Sequence, residues 1–134
     1  PGASGLAIDA DPAAVGAAGA NAEAVGVADR YRVRHMRFAD AGALVAEGAA
    51  GFHLAVSNPP YLPEKVCRHV GFARELQSQS LSAFAAGDDG QDAYRELSEV
   101  WATPGFLAPR AWVVLGCQPG RAAWASEAFL RSGR

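Results

Sequence analysis

The chain predicts a mostly parallel, doubly wound α/β sheet, and three observations carry that reading. Short apolar runs alternate with Ala-rich or amphipathic helical stretches along most of the 134 residues. Two of the runs end in polar residues, at Asp9 and at Ser57-Asn58. In an open α/β sheet such strand ends face the ligand crevice. Half of the residues are hydrophobic and 19% are charged, which suits a buried interior and excludes a disordered chain.

Each element has a local cause. Leu6 to Asp9 is a short apolar strand closed by an acid, and Pro1 to Gly5 form the turn that enters it. Asp11 is a fitting N-cap with Pro12 at the first helical position, so a helix is expected over Ala13–Val25, stopped by Gly26. A strand is expected over Arg32–Phe38, followed by Asp40 and a helical turn over Ala43–Glu47. Phe52–Ser57 is an apolar strand ending in Asn58-Pro59-Pro60-Tyr61. Residues 66–90 are long, mixed and Gln/Ser-rich over 77–82. A connection of that length in a compact domain is functional or flexible. Helix Gln91–Trp101 places Tyr94, Leu97 and Trp101 on one face, and Thr103-Pro104-Gly105 ends it. Strand Ala111–Leu115 and helix Ala122–Leu130 follow, with Trp124 and Phe129 expected in the core.

The Asn58–Tyr61 corner is the most informative feature. Two prolines fix φ at two positions, remove two backbone donors and push Asn58 out of helical geometry. What remains is stiff and rich in acceptors: the Asn58 side-chain oxygen, nearby carbonyls and the Tyr61 ring. That combination suits a planar NH2 group. Taken alone, the tetrapeptide is read equally well as turn punctuation, with Asn58 capping its own turn.

Other features carry less. A net charge of −2 argues against binding nucleic acid by bulk electrostatics. Arg30, Arg32 and Arg34 alternate on one strand face, with Arg37 beyond, a pattern that solvates an edge strand. Cys67 and Cys117 lack zinc-ligand spacing and read as reduced thiols. His35, His53 and His69 are scattered, so no metal site is expected. No apolar run approaches the ~20 residues of a membrane span.

Together, Asp9-Ala10-Asp11-Pro12, Ala18 and Asn21, Asp40, and Asn58-Pro59-Pro60-Tyr61 resemble the ordered motifs of class I S-adenosylmethionine-dependent methyltransferases acting on amino or amide nitrogens. Within that group the chain is most similar to the HemK/PrmC family, which methylates a glutamine of peptide-chain release factors. Leu62-Pro63-Glu64 fits as well, and Gly87 to Arg95 resembles the family's G-x-D-G-x-D-x-x-R stretch. The resemblance covers about Gly5 to Gly133.

The resemblance implies a partial Rossmann-like methyltransferase fold, with residues 1–134 as a partial catalytic domain. The family's first strand with its Gly-rich turn, and the final hairpin, are not in this sequence, so a fragment is expected. Gln79-Ser80 stands where the family usually has Glu-Pro, and Gly116-Cys117 where a Glu is common. Without the first strand, the strands ending at Asp9 and Ser57 either keep an open slot or pair directly, and low stability is expected.

For the site, the resemblance implies that Asp9 holds the ribose hydroxyls of S-adenosylmethionine and that Asp40 with Ala41 borders the adenine. Asn58 and the Pro59 carbonyl accept the two amide hydrogens of a release-factor glutamine, and Pro60 and Tyr61 complete the substrate corner. Asn58 thereby also borders the cofactor. The expected compartment is cytoplasmic, with mitochondrion or plastid open. Two other classes stay open: an adenine N6-methyltransferase of DNA or RNA, and an inert methyltransferase-like piece.

Overall fold

The computed structural model describes residues 2–69, 80–120 and 122–131. It is a mixed α/β structure whose strands run parallel, compatible with the expected fold class. The chain divides into two compact units, Pro1–Ala41 and Gly42–Arg134.

The first unit is a β-α-β motif. Strand β1 (Gly5–Asp9) pairs in parallel with β2 (Tyr31–His35), in a register running from Gly5↔Tyr31 to Asp9↔His35. Helix α1 (Pro12–Ala24) connects them. Its start is as the sequence predicts: the Asp11 carboxylate accepts from the Ala13 N–H at 2.8 Å, with Pro12 at the first position. Its end is a Schellman motif. Gly26 has φ 70°, its N–H donates to the Glu23 carbonyl, and the Val27 N–H donates to the Ala22 carbonyl. Strand β2 stops at His35, three residues short of the expected Phe38. The reason lies in its partner. β1 ends at Asp9, whose carbonyl accepts from the Met36 N–H, and no further rung exists to pair with. The chain then turns into a 3₁₀ helix over Phe38–Leu44, earlier than the turn expected at Ala43–Glu47.

The second unit carries the other two strands. Strand β3 spans Phe52–Ser57, as read from the sequence, and pairs in parallel with β4 (Leu107–Leu115). β4 begins four residues before the expected Ala111. Its entrance is irregular, because the register jumps between Phe52↔Leu107 and Leu54↔Trp112. Pro109, without an N–H, and Arg110, at φ 63°, lie in the jump. Short helix α2 (Glu64–Cys67) and a 3₁₀ turn (Leu81–Ala83) flank the part of the 66–90 connection that lies outside the described residues, Gln79 included. Helix α3 (Asp92–Ala102) buries Ala93, Tyr94, Leu97, Ser98, Val100 and Trp101. These join Leu44, Phe106 and Leu107 in the core. Phe52 meets Phe106 at 5.2 Å between ring centroids, and Trp101 meets Phe129 of α4 (Ala122–Arg131) at 5.3 Å. The side chain of Trp124 lies outside the described residues.

Among the described residues the strands thus form two two-stranded sheets, β1–β2 and β3–β4. One face of the β3–β4 pair is apolar and open. Leu54 pairs with Trp112 and Val56 with Val114, which puts all four on one face. Trp112 is 75% exposed and Val56 66%.

Candidate active site

The Asn58–Tyr61 corner is held from both sides. The Gly116 N–H donates to the Ser57 carbonyl at 2.8 Å, extending the β3–β4 ladder past its last rung, Ser57↔Leu115. Asn58 follows at the strand's carboxyl end and is exposed. Pro59 is fully buried, under 2% exposed, so the corner pivots on an anchored ring. Pro60 and Tyr61 are half-buried. Asn58 is therefore an exposed residue on a bend that cannot relax by rotating φ at the next two positions.

Beyond Tyr61 the chain is strapped down by residues 84–95. Leu62 forms a parallel bridge to Ala85: its N–H donates to the Phe84 carbonyl, and its own carbonyl accepts from the Ala86 N–H, both at 2.9 Å. The Glu64 N–H donates to the Gly87 carbonyl at 2.9 Å. Gly90, at φ 75°, packs so closely that a Cβ there would lie 2.5 Å from the Tyr61 carbonyl oxygen. Any other residue would be strained twice, by φ and by contact. The acids close the strap. Asp89 accepts from the Gln91 N–H at 2.9 Å, and Arg95 pairs with Asp89 and, at 2.7 Å, with Asp92. The Arg95 hydrogen bond holds the Asp89 carboxyl below the usual carboxylate range, and Asp89 in turn raises Arg95. The spacing of Gly87, Asp89, Gly90, Asp92 and Arg95 is thus that of a clamp on the corner.

The other predicted residues lie in the first unit. Asp9 is the exposed last residue of β1, and one of its carboxylate oxygens accepts from the Asp11 N–H at 2.8 Å. This Asx turn fixes the acid's orientation at the strand's carboxyl end. The Ala10 carbonyl lies 2.9 Å from His35 Nε2 on the neighbouring strand. Asp40 is exposed in the first turn of the 3₁₀ helix, and Ala41 beside it is 2% exposed. The structure keeps Asn58, Pro59, Pro60 and Tyr61 contiguous in one unit and Asp9, Asp40 and Ala41 in the other.

Two residues at the corner carry no site signal in the sequence. The helical period places Tyr94 only on the core face of α3. It is fully buried, and its hydroxyl donates to the Gly116 carbonyl at 2.8 Å. Gly116, which departs from the family pattern, lies against Asn58. No short-range pattern signals either contact, because it joins segments far apart in the chain. Cys67 is buried, and burial, helped by Glu64, raises its thiol above the usual range. Among the described residues no cluster of three metal-ligating side chains occurs, and no helix is long and apolar enough to cross a membrane.

Parallel strands with an anchored acid at one strand end and an Asn-Pro-Pro-Tyr corner at another are compatible with a class I methyltransferase fold. Comparison with known proteins narrows the class. The chain is 36% identical over 124 residues to the release factor glutamine methyltransferase of Cereibacter sphaeroides. It is 38% identical over 124 residues to the protein of the same name from Rhodospirillum rubrum. Each match covers 91% of this chain but only 41% and 35% of those proteins. No protein-family model matches the chain. The two relatives support the resemblance to the HemK/PrmC family.

Proposed function

We propose that the protein containing this chain transfers a methyl group from S-adenosylmethionine to the side-chain amide nitrogen of a glutamine in a peptide-chain release factor. One observation carries the reading: an exposed Asn58 stands on a corner pinned by the buried Pro59, at the carboxyl end of a parallel strand. The similarity to two release factor glutamine methyltransferases supports it.

The residues present suit the cofactor. An oriented carboxylate at a strand end is the acceptor a ribose diol needs, and Asp9 supplies it. Asp40 and Ala41 border the adenine. When bound, the cofactor supplies an electrophilic methyl group on its sulfonium. The chain's task is then orientation. Asn58 Oδ1 accepts one amide hydrogen and the Pro59 carbonyl accepts the other. Those bonds hold the amide plane, aim its nitrogen and favour the positive charge that grows there. Pro60 stiffens the corner, and Tyr61 packs on the flat amide. No strong base is needed, because the proton leaves after attack. The compartment follows the substrate: the cytoplasm, or an organelle with its own translation.

The test offers the protein, in its full length, labelled cofactor with three acceptors: a release factor, the same factor with its acceptor Gln replaced by Asn, and an adenine-containing oligonucleotide. Label on the first alone is expected. Label on the oligonucleotide instead, or on none, overturns the reading.

A further inference from the structure

Gly116 follows the end of β4, and its backbone runs directly beside Asn58. A Cβ built on Gly116 would lie 3.3 Å from Asn58 Cα and 2.9 Å from Asn58 Cγ, and closer still to Oδ1. The amide oxygen of Asn58 therefore occupies the space that a side chain at 116 would fill. Gly116 does not have a positive φ, so its backbone would accept an L-residue. What excludes a side chain here is the neighbour.

The segment is fixed at two points. Its N–H is held by the Ser57 carbonyl, and its carbonyl accepts from the Tyr94 hydroxyl at 2.8 Å. Tyr94 is itself fully buried in α3. The core helix, the end of β4 and the Asn58 side chain thus form one chain of contacts.

We infer that Gly116, pinned by Tyr94, is a positioning residue that sets the orientation of the Asn58 amide, and that Tyr94 acts on the site through it. The inference rests on the reading that Asn58 accepts a hydrogen from the substrate amide. An added methyl meets the amide oxygen first, at the tip of an exposed side chain, and also presses on Asn58 Cγ and Cα, so it turns the amide aside and strains the end of β3 as well. The effect falls on orientation, where a displacement of about 1 Å is enough to slow a reaction roughly 10²-fold.

Gly116→Ala is the test, read in two ways. In nuclear magnetic resonance of the labelled protein, the Asn58 side-chain NH2 signals should move, while those of Asn21, in the first unit, stay put. In the methyl-transfer assay, kcat should fall roughly 10- to 100-fold with cofactor Kd within about twofold. Added to Asn58→Ala, the same substitution should cost nothing further, because its target is gone. Tyr94→Phe should shift the same NH2 signals in the same assay with a smaller loss in kcat. Unmoved Asn58 signals, or an equal loss from Gly116→Ala in both backgrounds, would overturn the inference. A wild-type protein that methylates no release factor would instead overturn the functional reading, and the spectra would still decide the contact.

Discussion

The two units of this chain are built to different depths. In Pro1–Ala41 the buried hydrophobic residues are Ala22 and Ala41, both methyl-sized. In Gly42–Arg134 they include Leu44, Tyr94, Leu97, Trp101, Phe106 and Leu107. Helix α1 is rich in Ala and Gly and removes little apolar area from water, whereas α3 buries six of its eleven residues. Burial of this kind offsets chain entropy at roughly 25 cal/mol per Å². In the proposed mechanism Asn58, which aims the substrate amide, belongs to the unit with the larger core. The group whose angle must be fixed is mounted on the larger core.

The largest expected effect follows directly. Tyr94→Ala should destabilise the protein by about 3–5 kcal/mol, as for other large aromatic truncations. Val15→Ala, on half-buried α1, should cost about 1 kcal/mol or less. Chemical unfolding of both variants measures the contrast, and equal losses would erase the distinction between the units. Next, amide exchange should be slower in α3 than in α1 by about 100-fold, because α1 opens without breaking a deep core. Hydrogen exchange followed by mass spectrometry reads this.

The smallest effect belongs to the strap. Asp89 sits below its ordinary range in the folded state, so its pairing with Arg95 contributes in full above the unfolded value, near 4. That contribution is lost as the pH falls through the lower, folded value. Both side chains are about half exposed, so Asp89→Asn should cost under about 1 kcal/mol at pH 7 and flatten the acid side of the stability profile. Melting curves from pH 2 to 7 check the sign.

What the sequence showed follows the same divide between local and distant causes. The Asp11 cap, Pro12, the Gly26 stop and the β3 span were legible because each depends on a few adjacent residues. The face of α3 was legible from its 3.6-residue period. The early end of β2 was not, since it is set by where β1 stops. The entrance of β4 was hidden because Pro109 and Arg110 break the alternation that marks a strand. The division into two sheets rests on pairing, which no single segment encodes. At the site, the Asn-Pro-Pro-Tyr corner could be read from its chemistry. The approach of Gly116 to Asn58 could not, because they lie 58 positions apart.

The open apolar face of β3–β4 bears on stability too. Exposed Leu54, Val56, Trp112 and Val114 contribute little to folding.

The central claim is that Asn58 aims a substrate nitrogen and does not hold the cofactor in place. Single-turnover methyl transfer by the full-length protein, with Asn58→Ala set against wild type and cofactor affinity measured alongside, tests it most directly. The rate should fall about 10²- to 10³-fold while cofactor Kd changes less than about twofold. An unchanged rate, or a loss explained wholly by weaker cofactor binding, would contradict it.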